Sequence, residues 1–174
     1  MRVLLLSMPN TPYMAFNVSI LPSLALSSLA GNIDECHKVE IADLIAIRRN
    51  FKKFLEIRLA RHSPDIVGLS AKSFQANIAR YIAKFIKYID PEIKVVLGGY
   101  HATMATNEIV KSWGPELDFI IRGEGETSFN SLLTTLEGKT DELKNINGLT
   151  FRKNGQFVHN PRGRLEDLAK VKKP

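Results

Sequence analysis

Residues 66–99 read IVGLSAKSFQANIARYIAKFIKYIDPEIKVVLGG, and this stretch decides the fold. It opens with one apolar run, Ile66-Val67-Gly68-Leu69, and closes on another, Val95-Val96-Leu97. Between them Ile78, Ile82, Phe85, Ile86 and Ile89 recur at helical spacing and stop before Pro91, which cannot continue a helix. Strands covered on both faces need apolar runs without alternation, and a helix joining two such strands makes a parallel crossover.

The same unit repeats outward. Val3-Leu4-Leu5-Leu6 and Val39-Glu40-Ile41-Ala42 precede it, and Phe119-Ile120-Ile121 follows. Leu24, Leu26, Leu29 and Ile33 mark a helix after Pro22, and Phe51, Phe54, Leu55 and Leu59 mark one after Asn50, a good N-cap type. Ile109, Val110 and Trp113 follow a Thr106 cap and end at Gly114-Pro115, with Trp113 expected in the core. Phe129, Leu132, Leu133 and Leu136 run to Gly138. Strand and helix alternate five times, which predicts an α/β fold with a five-stranded parallel, doubly wound sheet, flavodoxin-like or Rossmann-like. Beyond Gly138, Leu149–Arg152 and Gln156–His159 flank Lys153-Asn154-Gly155, an Asn-Gly hairpin signal. The reading is an α/β domain over 1–145, an appended C-terminal β-hairpin over 146–161 and a charged linker over 162–174.

A chain of 174 residues suits one domain with a real core. Its single cysteine, Cys36, excludes a disulfide framework and any cluster built from several thiolates, and it fits a reducing, cytoplasmic setting. Nothing resembles a signal peptide, and no apolar stretch reaches the roughly 18 residues of a membrane span. The net charge of +6 gathers at Arg48-Arg49, Lys52-Lys53, Arg58/Arg61 and the tail lysines. No aromatic platform is interleaved with them and no nucleic-acid motif accompanies them, so the reading is a solvated basic face with neither nucleic acid nor membrane as partner.

Ligands of open α/β sheets bind beyond the carboxyl ends of the strands. Those ends read Ser7-Met8-Pro9-Asn10, Ser70-Ala71-Lys72-Ser73, Gly98-Gly99-Tyr100-His101 and Gly123-Glu124-Gly125-Glu126. Small residues let a ligand approach the backbone. Familiar occupants fail one by one. Gly138-Lys139-Thr140 lacks the first P-loop glycine, since Leu133 stands there, and it follows a helix. Gly123-Glu124-Gly125 lacks the third glycine of a dinucleotide fingerprint, and its carboxylates would repel a pyrophosphate. Ser70 stands where a phosphoacceptor Asp would be, and no G-x-S-x-G elbow occurs.

Gly98-Gly99-Tyr100-His101-Ala102-Thr103 and Phe119-Ile120-Ile121-Arg122-Gly123-Glu124-Gly125-Glu126 resemble the G-G-x-H-x-T and G-E-G-E segments of the cobalamin-binding domain in radical-SAM proteins. That group includes anaerobic Mg-protoporphyrin ester cyclases and cobalamin-dependent methyltransferases. The resemblance spans nearly the whole chain. The wider cobalamin-domain pattern has S-x-L and G-G, matched by Ser70 standing 28 positions before Gly98, with Lys72 in place of Leu. Its D-x-H-x-x-G element is absent: residues 8–18 hold neither His nor Asp.

The resemblance implies a cobalamin cofactor whose tail base lies between Ser70, Ser73 and the Gly98-Gly99 turn, beside Tyr100 and His101. Glu124 and Glu126, with Gly123 and Gly125, would meet ribose or corrin amides, and Met8, Tyr13, Met14 and Phe16 would cover the lower corrin face. Without the loop histidine the expectation is base-off cobalamin with no protein nitrogen on cobalt; His101 is expected to orient the cofactor or cap a helix. No catalytic residue and no metal ligand is assigned. His37, His62 and His159 are expected at the surface, and Cys36 as a partly buried, inert thiol. The resemblance also implies a following radical-SAM barrel with a [4Fe-4S] cluster and S-adenosylmethionine, which this chain lacks. Methyl transfer or oxidative cyclisation would be the work of that longer enzyme. Two other readings stay open: a degenerate docking or regulatory module, and a flavin- or nucleotide-binding domain.

Overall fold

The computed structural model describes residues 1–9, 23–45, 47, 50–138 and 142–162. Among them one sheet contains β1 (Arg2–Ser7), β2 (Lys38–Asp43), β3 (Ile66–Ser70), β4 (Lys94–Gly98), β5 (Phe119–Ile121), β6 (Leu149–Lys153) and β7 (Gln156–His159). The order is β2-β1-β3-β4-β5-β6-β7. The first five strands are parallel, as the apolar runs predict, and β6 and β7 are antiparallel. The expected sheet of five strands is therefore corrected to seven. The hairpin is not an appendage: β6 pairs with β5, Phe119 opposite Phe151 and Ile121 opposite Leu149. Pairing there satisfies the β5 edge, and buried Leu149 and Phe151 extend the core. Its turn is as expected, with Asn154 and Gly155 at φ 52° and 80°.

Six helices cover the sheet among the described residues: α1 (Leu24–Gly31), α2 (Phe51–His62), α3 (Ala76–Ile89), α4 (Gly99–Met104), α5 (Thr106–Ser112) and α6 (Glu126–Leu136). Side chains alternate along the strands, so each strand feeds two cores. Leu4, Leu6, Val67, Leu69, Val95 and Leu97 pack with Leu55 and Leu59 of α2, Ile82 and Ile86 of α3, Ile109 of α5 and Trp113. Val3, Leu5, Ile66, Val96 and Ile121 pack with Leu26 of α1 and Phe129, Leu132 and Leu133 of α6. This is the doubly wound arrangement.

Several local expectations change. Asn50 precedes α2 in a left-handed conformation and makes no side-chain cap bond. The Thr106 hydroxyl donates back to Ala102 O at 2.6 Å instead of capping α5. Helix α4 begins directly at Gly99, where the sequence reads as a loop. His37 is buried, not at the surface, and His62 is largely buried with Nε2 3.1 Å from Val3 O. Cys36 is exposed. The basic residues of α2 do meet aromatics: Lys52 Nζ lies 5.1 Å from the ring centroid of Tyr81 on α3, and the Arg58 guanidinium 4.9 Å from that of Phe54 on α2 itself. No helix among the described residues is long and apolar enough to cross a membrane.

The hairpin hangs on Gly148. Its φ is +69°, a Cβ there would stand 2.5 Å from Arg122 O, and its carbonyl accepts from Arg122 N at 3.0 Å. Gly148→Ala adds left-handed strain to a backbone clash and should cost roughly 2–4 kcal/mol, read as a lower urea midpoint. A wild-type midpoint would contradict this account of the β5–β6 junction.

Candidate functional site

At the carboxyl ends of the strands the α1/α6 side of the core stops short and leaves a cavity of about 260 Å³. Leu5, Gly68, Val96 and Ile121 form its floor, Leu26 and Leu29 of α1 one wall, and Phe129 of α6 the other. Its rim carries Ser70, Gly98, Gly99, Gly123, Glu124, Gly125 and Glu126. Three strand ends separated in sequence thus converge on one cleft with an apolar interior and a polar rim.

The glycines serve different ends. Gly99 has φ +87°, and a Cβ there would come within 2.9 Å of Ala71 O and 3.1 Å of Ser70 Oγ. Only glycine allows the β3 and β4 ends to cross this closely, sealed by Ala71 N donating to Gly98 O at 3.2 Å and His101 N donating to Ala71 O at 3.0 Å. Gly98 has an ordinary extended conformation (φ −127°), and the nearest atom to an added Cβ would be Leu69 O at 3.9 Å. Neither strain nor packing demands glycine at 98. What its bare Cα does is keep the cleft rim open.

Thr103 joins the two glycine turns, its hydroxyl donating to Gly99 O at 3.1 Å and accepting from Gly123 N at 2.8 Å. Gln75, buried, donates to Met8 O at 3.2 Å and accepts from Lys72 N at 3.0 Å, pinning the loop after β1 to the loop after β3. Glu126 opens α6 and accepts from Ser28 Oγ at 2.8 Å, closing α1 against α6; a carboxylate in the first helical turn also suits the helix dipole.

Of the residues expected in the site, seven line the cleft and three do not. Ser73 is exposed at the start of a short 3₁₀ turn, Ser73–Gln75. Tyr100 is 63% exposed on α4 and points no surface into the cavity lining. His101 is buried outside the cleft, and its Nδ1 has no hydrogen-bond partner among the described residues. Burial lowers its pKa, outweighing the raising effect of Glu108. Met8, expected against the corrin, is a core residue, 1% exposed and packed in the cluster with Leu4 and Leu6. Tyr13, Met14, Phe16, Pro22, Arg48, Arg49, Lys139, Thr140 and the tail beyond Arg162 lie outside the described residues.

Sequence reasoning missed Leu5, Gly68, Leu26, Leu29, Val96, Ile121 and Phe129 as lining residues. Gly68 carried a signal, being a glycine inside a buried strand. The others share the spacing of ordinary core residues, and periodicity cannot tell a core wall from a cleft wall.

The family described as B12 binding domain matches residues 13–133. An "uncharacterized methyltransferase" of Pyrococcus horikoshii is 37% identical over 140 residues, covering 80% of this chain and 30% of that protein. The anaerobic magnesium-protoporphyrin IX monomethyl ester cyclase of Synechocystis is 30% identical over 176 residues, covering 97% of this chain and 34% of the cyclase. The chain thus spans about a third of the length of these curated relatives. In fold it is similar to the radical S-adenosylmethionine methyltransferase TsrM of Kitasatospora setae, solved with cobalamin and a [4Fe-4S] cluster bound. The TM-score is 0.74 at 23% identity, over 99% of this chain and 31% of TsrM. With the match covering more than half of its residues, this chain belongs to the B12 binding domain family.

Proposed function

We propose that the cleft between α1 and α6 takes the nucleotide tail of cobalamin and that the corrin ring lies outside it, over the rim. The observation that carries this is the cleft itself, small, apolar within and rimmed by glycine backbone. At about 260 Å³ it falls below the roughly 300–1,000 Å³ of sites that swallow a whole drug-sized ligand. It suits a flat two-ring base with part of its sugar, and a macrocycle must stay outside. The residues present fit that group. A Cβ on Gly98 would occupy space that nothing in the protein fills, Leu29 and Phe129 offer apolar faces, and Ser70, Glu124 and Glu126 supply polar atoms where the sugar would emerge. When bound, cobalamin would supply methyl-transfer or radical chemistry. This chain's own part is to hold the tail, exclude water from it and fix the ring's position.

The parent activity belongs to the same proposal. The remaining two thirds of the relatives' length would hold a radical-SAM domain, with its [4Fe-4S] cluster and S-adenosylmethionine, and residues 162–174 would lead toward it. Methyl transfer or oxidative cyclisation would occur there, since one cysteine cannot hold such a cluster.

Passing the protein over a desalting column after mixing with hydroxocobalamin tests the reading. Corrin absorbance should remain with the wild type. Gly98→Ala, allowed by backbone and local space, should weaken retention by about tenfold, and Gly98→Leu should abolish it while the denaturation midpoint stays near wild type. No retained corrin would favour the docking-module or flavin readings, and a Gly98→Leu protein that binds like wild type would remove the tail from this cleft.

The first loop contains no histidine and the His101 side chain is buried, which supports base-off cobalamin without a protein nitrogen on cobalt. In the cob(II)alamin form, electron paramagnetic resonance should show no superhyperfine splitting from an axial nitrogen; a nitrogen triplet would overturn this.

His101 then acts through the fold alone. Its folded-state pKa lies below the ordinary value of about 6.5, so the unfolded chain takes up the proton first as pH falls. His159 is shifted the same way, by burial and then by Arg122. Stability should be full at pH well above that ordinary value and decline as pH falls through and below it, with a shallower decline in His101→Gln, as measured by urea melts. An identical pH slope in the variant would show that His101 does not contribute.

A further inference from the structure

We propose that Cys36, His37 and the Glu137 carboxylate form a binding site for a divalent transition-metal ion, zinc above all, at the amino-terminal end of the sheet. The three residues offer one ligand atom each, and these atoms all lie within 4.8 Å of one another. Tetrahedral zinc, with bonds of about 2.0–2.3 Å, needs its ligand atoms about 3.3–3.8 Å apart. His37 Nδ1 and Glu137 Oε1, at 3.4 Å, already meet that spacing, and closing the rest asks for a shift of about 1 Å at the exposed Cys36.

The corner also holds a cation already. The Met1 ammonium stands 2.8 Å from Glu137 Oε1 and 3.0 Å from His37 Nδ1. An ammonium can only donate, so His37 Nδ1 faces it with a lone pair, the tautomer that ligation requires. The His37 side chain is 1% exposed and held in place, whereas Cys36 opens the corner to solvent and gives an ion its way in. Carboxylate and imidazole draw a divalent ion, and the thiolate selects a zinc-like ion over calcium or magnesium, which prefer oxygen alone. Three protein ligands leave a fourth position for water, or for the Met1 amine once it has lost a proton.

This site is separate from the cleft. Glu137 directly follows α6, and Glu126, on the cleft rim, begins it; the 11 residues between cleft and corner span about 16 Å. A bound ion would tie the start of β2 to the end of α6, whose other end walls the cleft. Because the thiol must ionise and the ammonium must yield, binding releases protons and weakens as pH falls.

The test uses the full chain, stripped with a chelator and titrated with zinc sulfate at neutral pH, without cobalamin. Calorimetry should show one equivalent bound, zinc-edge X-ray absorption a single sulfur in the shell, and thermal melting a raised Tm. Cys36→Ser and Glu137→Gln should each weaken zinc binding by at least about tenfold and abolish the rise in Tm, while both retain corrin as the wild type does. Both positions lie at the surface end of the cluster, so the variants keep buried His37 and the core intact. A sulfur-free shell, wild-type zinc affinity in Cys36→Ser, or no stoichiometric binding would overturn the site and leave an ion-paired corner.

Discussion

The fold turns on one close approach. Backbone of the β4 end crosses backbone of the β3 end at Gly99 and Ala71, with no room between them for even one methyl group. Two hydrogen bonds hold the crossing, and Thr103 carries it across to the β5 end through Gly123. Three strand ends therefore form one continuous rim. A rim assembled from main chain is stiff, because its shape depends on hydrogen-bonded backbone and not on rotamers.

The two cores follow from that rim. On the α2/α3 side, packing continues up to it, with Ala71, Ala102 and Met8 filling the last layer. On the α1/α6 side it stops below, where glycines at 98 and 125 leave the rim without side chains, while Gly68 makes room for Leu5 and Phe129, since a Cβ there would stand 2.8 Å from Leu5 Cδ2. The same sheet thus has one filled end face and one hollow one. Unfilled apolar space costs stability, so a hollow kept open by glycines that the backbone does not require is best accounted for by a ligand.

Helix α6 connects the two ends of the molecule. Its first turn closes the cleft through Glu126 and Ser28, its apolar face anchors in the core through Phe129, Leu132 and Leu133, and Glu137 beyond it reaches the corner formed by Cys36, His37 and Met1. Ser128 Oγ donates to Asn147 O at 2.8 Å, joining the helix to the segment ahead of the hairpin. The helix thus makes contact both with the corner and with the elements that frame the cleft.

Sequence alone determined the strand and helix alternation, the parallel runs, the Asn-Gly turn and the family likeness, because each is written in local spacing: period, cap, turn residue, short motif. It also named the small residues of the rim. Only the tertiary structure decided that the hairpin would finish the sheet, since the exposed β5 edge exists only once five strands are assembled. The same holds for the cleft walls, where Leu26, Leu29 and Phe129 have the spacing of core residues and become lining only because the residues facing them are glycines. His37 and Cys36 changed places between surface and interior for a related reason: burial depends on what α6, far along the chain, brings against them.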